Sequence, residues 1–207
     1  MMRRMAGPLV IAAAVTLAAA ARSGPPPATA VFAGGCFWGI EGVFEHVKGV
    51  TSATAGYAGG SVASPSYEQV SSGTTGHAEA VRVTYDPSQV TYERLLEVFF
   101  TVAHDPTQLN RQGPDHGTQY RSIVFYRDTA QRRAVETYVN ELKRKKVFAT
   151  PVVTEIVPLT AFYEAEAYHQ HYMARHPRAR YIVYNDAPKV VNLRRQFPAL
   201  YREPIPE

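Results

Sequence analysis

An α+β, two-layer sandwich is the fold this sequence predicts, on three observations. Stretches that alternate apolar and polar residues, the period of a strand, are interleaved with stretches whose apolar residues recur at spacings of three and four, the period of a helix. No internal repeat points to a solenoid or propeller. The 207 residues suit a single core once the start of the chain is set aside.

That start, residues 1 to 21, reads as a secretory signal. Arg3 and Arg4 are basic, Pro8 to Ala20 is an almost unbroken uncharged apolar run, and Ala19-Ala20-Ala21 offers small residues for cleavage. The run is shorter than the ~20 residues a bilayer core requires, so removal is expected rather than a membrane span. The product would be periplasmic or secreted, with no stable membrane association. Residues 22 to 29, with Pro25-Pro26-Pro27, form an extended linker, and 30 to 207 one domain, expected to be a monomer. The formal charge is only +4, and Arg3 and Arg4 leave with the signal, which argues against a nucleic-acid partner.

The elements follow in order. Ala30 to Ala33 is a short strand. Phe37, Ile40, Val43, Phe44 and Val47 mark a helix with one buried face. Val50 to Tyr57 is a second strand, and Gly56 to Gly76 a long loop with a helical turn at Tyr67 to Ser71. His77 to Tyr85 alternates, placing His77, Glu79, Val81 and Val83 on one strand face. Thr91 caps a helix carrying Leu95, Leu96, Phe99 and Phe100. An irregular stretch, His104 to Gln119, precedes a strand at Arg121 to Tyr126. Asp128 with Gln131 suggests a capping box opening a helix to about Lys145. Val152 to Val157 is a strand, and Thr160 opens a last major helix with Ala161, Ala165, Tyr168 and Tyr172 on one stripe. From about 178 an irregular tail follows, with one short helix at Val190 to Phe197.

Gly34-Gly35-Cys36-Phe37-Trp38-Gly39 holds the only cysteine and the only tryptophan. Strand, glycine turn and helix put Cys36 at a helix start, where unpaired N–H groups and the helix dipole favour thiolate over thiol. One cysteine permits no intramolecular disulfide, and an unpaired thiol in an exported protein points to reactivity. Glu79, on a strand face shared with valines, is the best proton source, because desolvation raises a carboxyl pKa toward working pH. His169, His171 and His176 are not expected to bind metal: residues two apart on a helix do not share a face.

The hexapeptide GGCFWG resembles the nucleophile motif of the methionine sulfoxide reductase A family. So do GYAGG at Gly56 to Gly60, PSYEQVSSGTTGHAEAV at Pro65 to Val81, and GPDHGTQYRS at Gly113 to Ser122. The resemblance spans Val31 to Arg195 and implies a ferredoxin-like core with long functional loops. It implies Cys36 as nucleophile, Glu79 as acid to the sulfoxide oxygen, and Tyr67 and Tyr120 as phenolic donors to that oxygen. Phe37 and Trp38 would enclose the S-methyl group, and Asp115 would help position substrate. The implied activity is reduction of methionine S-sulfoxide, free or in proteins, with protein repair as its purpose. It needs no cofactor beyond an external thiol such as thioredoxin, glutaredoxin or glutathione. Many relatives carry a second cysteine; here Ser71 stands at one such place and the tail has none, so recycling would be intermolecular. Two other classes compete: a cysteine hydrolase using His77 or His116 as base, and a non-catalytic module that recognises oxidised methionine.

Overall fold

The computed structural model describes residues 25–203. The signal expected over 1 to 21 lies outside them, as does the first part of the linker. Its last two residues are strand, since β1 runs Ala28–Ala33.

Helix α1 (Phe37–Glu45) leads to β2 (Val50–Ala58), a short α2 (Tyr67–Ser71) and β3 (Ala78–Tyr85). Helix α3 (Tyr92–Val98) continues as a π-helical stretch, Phe99–Ala103. A small hairpin, β4 (Arg111–Gln112) and β5 (Asp115–His116), then precedes β6 (Ile123–Tyr126). After α4 (Thr129–Lys145) come β7 (Glu155–Pro158), β8 (Phe162–Glu164), α5 (Tyr172–Arg175) and α6 (Ala187–Gln196).

Six strands form one sheet in the order β7-β6-β1-β3-β2-β8, all pairs antiparallel except β6 with β7. Its centre is a βαββαβ path, β1-α1-β2-β3-α3-β6. Period-two alternation divides the sheet into two faces. Phe32, Ala55, Tyr57, Val81 and Val83 pack with residues of α1, α3 and α4, whereas Val31, Ala33, Ala58, Ala78, Ala80 and Phe125 form a smaller second cluster. Phe32 centres the larger cluster, its ring stacked 5.3 Å from Phe44 and 4.8 Å from Phe99. Burying such a ring contributes about 1.5–3 kcal/mol, and this packing fixes α1 over the sheet with its first turn above β3.

Three expectations are corrected. The helix from Thr160 is instead the edge strand β8, with Tyr163 opposite Tyr57, followed by a 3-10 turn at Ala167–His169. A side chain completes that edge: Gln170 Oε1 accepts the Ala55 N–H at 2.9 Å while Nε2 donates to the Ala55 carbonyl at 3.0 Å. Pairing with an open strand edge outweighs the helical spacing of the local sequence. The tail from 178 is ordered rather than irregular, since a π-helical stretch, Ile182–Asp186, runs into α6. The extra residue of a π turn shifts the apolar phase and hides the 3.6 period, and Pro188 sits in the first turn of α6, where proline is tolerated. Finally, the stretch His104 to Gln119 contains the β4–β5 hairpin, turning at Gly113-Pro114.

Candidate active site

Cys36 is the N-cap of α1. Gly35 delivers it with a φ of +97°, where a side chain would be strained and a Cβ would also meet Gln112 Cβ at 2.7 Å. The Gly35 N–H donates to the Tyr120 carbonyl at 3.1 Å, tying the nucleophile loop to the loop that carries Asp115 and Tyr120.

Glu79 comes from β3, whose alternation turns it toward α1, and it is only 2% exposed. Its Oε2 accepts the Phe37 N–H at 3.0 Å. One of the first-turn donors of α1 therefore holds the acid rather than the sulfur. Burial pushes the Glu79 carboxyl up to about 8, and Asp115 and Asp186 add to that, against the Phe37 N–H. Glu79 is thus a neutral, proton-carrying acid near pH 7.

The thiolate expectation is corrected by the same environment. Cys36 is 8% exposed, and burial pushes its thiol well above the ordinary value. Glu79 and Asp186 act in the same direction, while the Trp38 N–H and the Lys189 ammonium oppose them. A helix start favours thiolate only where solvent or cations share the work. Here burial and two neighbouring carboxyls outweigh the helix start and favour the thiol form of Cys36, beside a Glu79 carboxyl itself raised to about 8.

Tyr67 opens α2, whose cap Ser66 and Gln69 form a full capping box. The Tyr67 N–H donates to Glu166 Oε1 at 2.8 Å, and the Tyr57 hydroxyl donates to the other oxygen of Glu166 at 2.8 Å. Burial raises the phenols of Tyr67 and Tyr120, with Glu79 and Cys36 among the groups that add to it, so both stay protonated donors. Asp115 accepts the Tyr181 hydroxyl, and burial raises its carboxyl against that bond and Lys189.

Phe37 is buried in the core, its ring 5.9 Å from Tyr57 and 4.9 Å from His169. Trp38 is half-buried: its Nε1–H donates to His169 Nδ1 at 3.1 Å, and its ring stacks on Tyr172 at 3.7 Å. Glu79 thus acts on Cys36, Tyr67 and Tyr120, Asp115 acts on Glu79 and Tyr120, and the rings of Phe37, Trp38 and Tyr67 all meet His169.

Sequence reasoning missed His169, Tyr172, Tyr181, Asp186 and Lys189. The crowding of Tyr168-His169-Gln170-His171-Tyr172 was the available signal for the first two. The last three sit on the helix whose phase is masked. The histidines do not converge, since His169 faces Trp38. Among the described residues one group has metal-ligand atoms close together, Glu41, Glu45 and His171. It tethers α5 to α1: Glu41 Oε2 accepts the His171 N–H at 2.9 Å, and the His171 ring bonds Glu45.

Residues 28–200 match the family model described as peptide methionine sulfoxide reductase. A peptide methionine sulfoxide reductase MsrA 2 of Mesorhizobium japonicum is 54% identical over 182 residues, 88% of this chain and 93% of that protein. The MsrA of Natronomonas pharaonis is 52% identical over 170 residues, 82% of this chain and 95% of that one. Among solved structures, reduced Mxr1 of Saccharomyces cerevisiae superposes with a TM-score of 0.69 at 35% identity, covering 76% of this chain and 91% of that one. The methionine sulfoxide reductase A of Corynebacterium diphtheriae gives 0.65 at 37% identity, with 77% and 79% covered.

Proposed function

The chain belongs to the peptide methionine sulfoxide reductase family, and from that premise we propose how its own residues carry the reaction. It is a peptide-methionine (S)-S-oxide reductase, an enzyme of protein repair that draws electrons from an external thiol.

Cys36 is the nucleophile and Glu79 the acid. The Cys36 sulfur attacks the sulfoxide sulfur while Glu79 gives its proton to the sulfoxide oxygen, and the thiol proton restores Glu79. The S–S bond made by this attack breaks again as the protonated oxygen passes to Cys36, so the substrate's S–O bond is exchanged for an S–O bond on Cys36. Methionine leaves reduced by two electrons, and Cys36 is left as sulfenic acid. Tyr67 and Tyr120, held protonated, donate hydrogen bonds to the same oxygen. Trp38, with Phe37 beneath, encloses the S-methyl group, and Asp115 positions the substrate through its bond to Tyr181. Two external thiols then return Cys36 to the thiol, yielding their disulfide and water. Thioredoxin, a glutaredoxin or glutathione fits this step, because position 71 is serine and Cys36 is the sole cysteine.

The observation that carries this reading is the Phe37 N–H to Glu79 Oε2 hydrogen bond, which fastens the acid to the residue next to the nucleophile. A single-turnover assay with methionine S-sulfoxide and no added thiol tests it. At most one methionine per chain should be released, with a trappable sulfenic acid on Cys36. Several-fold excess of product would refute external recycling, and turnover by Cys36→Ser would refute the nucleophile.

The enzyme is further read as an exported monomer, periplasmic or secreted. Supporting export are the basic start and apolar run of residues 1 to 21, which lie outside the described residues. N-terminal sequencing of the mature protein from cell fractions tests the first point, and light scattering the second.

A further inference from the structure

Two rings that pack on Trp38 belong to one short segment of the chain: Tyr172 stacks on the indole at 3.7 Å, and Tyr181 meets it edge-on at 5.9 Å. The residues between them form a tight, backbone-bonded turn. His176 packs on Tyr172 at 4.3 Å, its N–H donates to the Tyr172 carbonyl at 2.9 Å, and the Ala179 N–H donates to the His176 carbonyl at 3.0 Å. Between Glu166 and Asp186 the chain has no acidic residue, whereas Arg175, Arg178 and Arg180 all lie in this turn. All three are exposed. Arg175 is engaged, its guanidinium reaching the Ala167 carbonyl at 3.4 Å, but Arg178 and Arg180 make no hydrogen bond and no ion pair among the described residues. Arg180 adjoins Tyr181, so covalent geometry keeps its charge at the margin of the rings around Trp38. The nearby acids are committed elsewhere: Asp115 accepts the Tyr181 hydroxyl, Asp186 pairs with Lys189, and Glu166 accepts from Tyr57 and Tyr67. Glu68, exposed on α2, confines the basic character to one edge.

We propose that the turn carrying Arg178 and Arg180 is a specificity edge, which selects polypeptides bearing acidic side chains within a few residues of the oxidised methionine on the flank that crosses it. An extended chain advances about 3.3 Å per residue, so a carboxylate two or three residues from the sulfoxide lies roughly 7–10 Å away, within reach of a long arginine at the margin of the site. Free methionine sulfoxide is too short to meet either guanidinium. Arginine suits the role because its planar fork grips a carboxylate with two hydrogen bonds and never loses its charge. The bonded turn presents both groups from a fixed backbone, which lowers the entropy lost on binding.

This inference deepens the reductase reading and rests on it, yet its test is separate. One peptide containing methionine S-sulfoxide is made in a neutral form, with Asp-Asp on either flank, and with Lys-Lys on either flank. Methionine formation is followed in single turnover by the full chain without added thiol, so that no reductant takes part. At low salt the better-placed acidic peptide should exceed the neutral one about three- to tenfold in kcat/KM, through KM rather than kcat, and its lysine counterpart should fall below it. Salt at about 0.5 M should remove most of the difference. The double variant Arg178→Gln, Arg180→Gln should lose the preference while reducing the neutral peptide and free methionine sulfoxide at the wild-type rate. Each single variant should lose part of it, which covers the case in which the double variant does not fold. Acidic peptides no better than the neutral one, or a preference that survives in the folded variants, overturn the proposal. So does a salt and variant dependence confined to multiple turnover with thioredoxin, which would give the turn to the reductant instead. Failure to reduce any of the peptides or free methionine sulfoxide would overturn the reductase reading itself, and the proposal with it.

Discussion

Glu79→Gln is the most informative perturbation, because it should cripple chemistry while relieving stability. The amide keeps the volume and can still accept the Phe37 N–H now bonded at 3.0 Å. What it cannot do is give a proton to the sulfoxide oxygen, and a positioned general acid contributes about 10²–10⁴-fold. Single-turnover methionine release should fall by that factor, and Cys36 should remain present and alkylatable. The stability effect follows from linkage. The Glu79 carboxyl is raised from 4.5 to about 8, so between those values the folded protein keeps a proton that the unfolded chain has lost. Stability due to this group is therefore full below 4.5 and declines as pH rises toward about 8. At about 1.4 kcal/mol per pKa unit the loss is roughly 3 kcal/mol by pH 7. The substituted amide does not titrate, so the variant should gain on the wild type by that amount between pH 4.5 and 7, roughly 6–12 °C in Tm. Stopped-flow release of methionine and calorimetry at both pH values provide the two readings. A variant that turns over within about threefold of wild type, or a stability gap that stays flat with pH, would refute the account of Glu79 as a buried neutral acid.

Other perturbations separate the remaining roles. Tyr67→Phe and Tyr120→Phe should each slow the first turnover by about tenfold, the worth of a hydrogen bond to a developing charge of roughly 1.5 kcal/mol, and a double-mutant cycle should show that the two are not additive. Trp38→Phe loses the 3.1 Å bond to His169 and much of the stack on Tyr172, so KM for methionine sulfoxide should rise several-fold with kcat less affected. Phe32→Ala, at the junction of the stacked rings in the core, should cost about 3–5 kcal/mol by urea denaturation. The pH dependence of the reductive step should show a fall above about 8, as Glu79 loses its proton, and Glu79→Gln should abolish that limb.

The strands and the first helix were legible because their patterns are local. The alternation from Ala78 to Tyr85 turns Glu79 and Val81 to one face, and β3 does so. Thr91 and Asp128 cap their helices, their side chains accepting from Arg94 and Gln131. Around the sulfur, a helix start and a strand face already marked Cys36 and Glu79, whereas Tyr67, Tyr120 and Asp115 were legible only through motifs carried by a family resemblance, since no periodicity singles them out. Phe162 to Glu164 misled because pairing with Gly56 to Ala58 depends on a partner about a hundred residues away.

The sequence by itself determined which elements alternate, where the nucleophile begins its helix, and that one thiol must be renewed from outside the molecule. Only the tertiary structure decided the protonation of the site. A helix start considered alone predicts an ionised sulfur, since local N–H groups and a dipole are all it offers. Once folded, the Phe37 N–H is taken by Glu79, and burial beside Glu79 and Asp186 reverses the sign for Cys36. Solvation belongs to the assembled pocket rather than to any segment of the chain, and a charge responds first to its solvation.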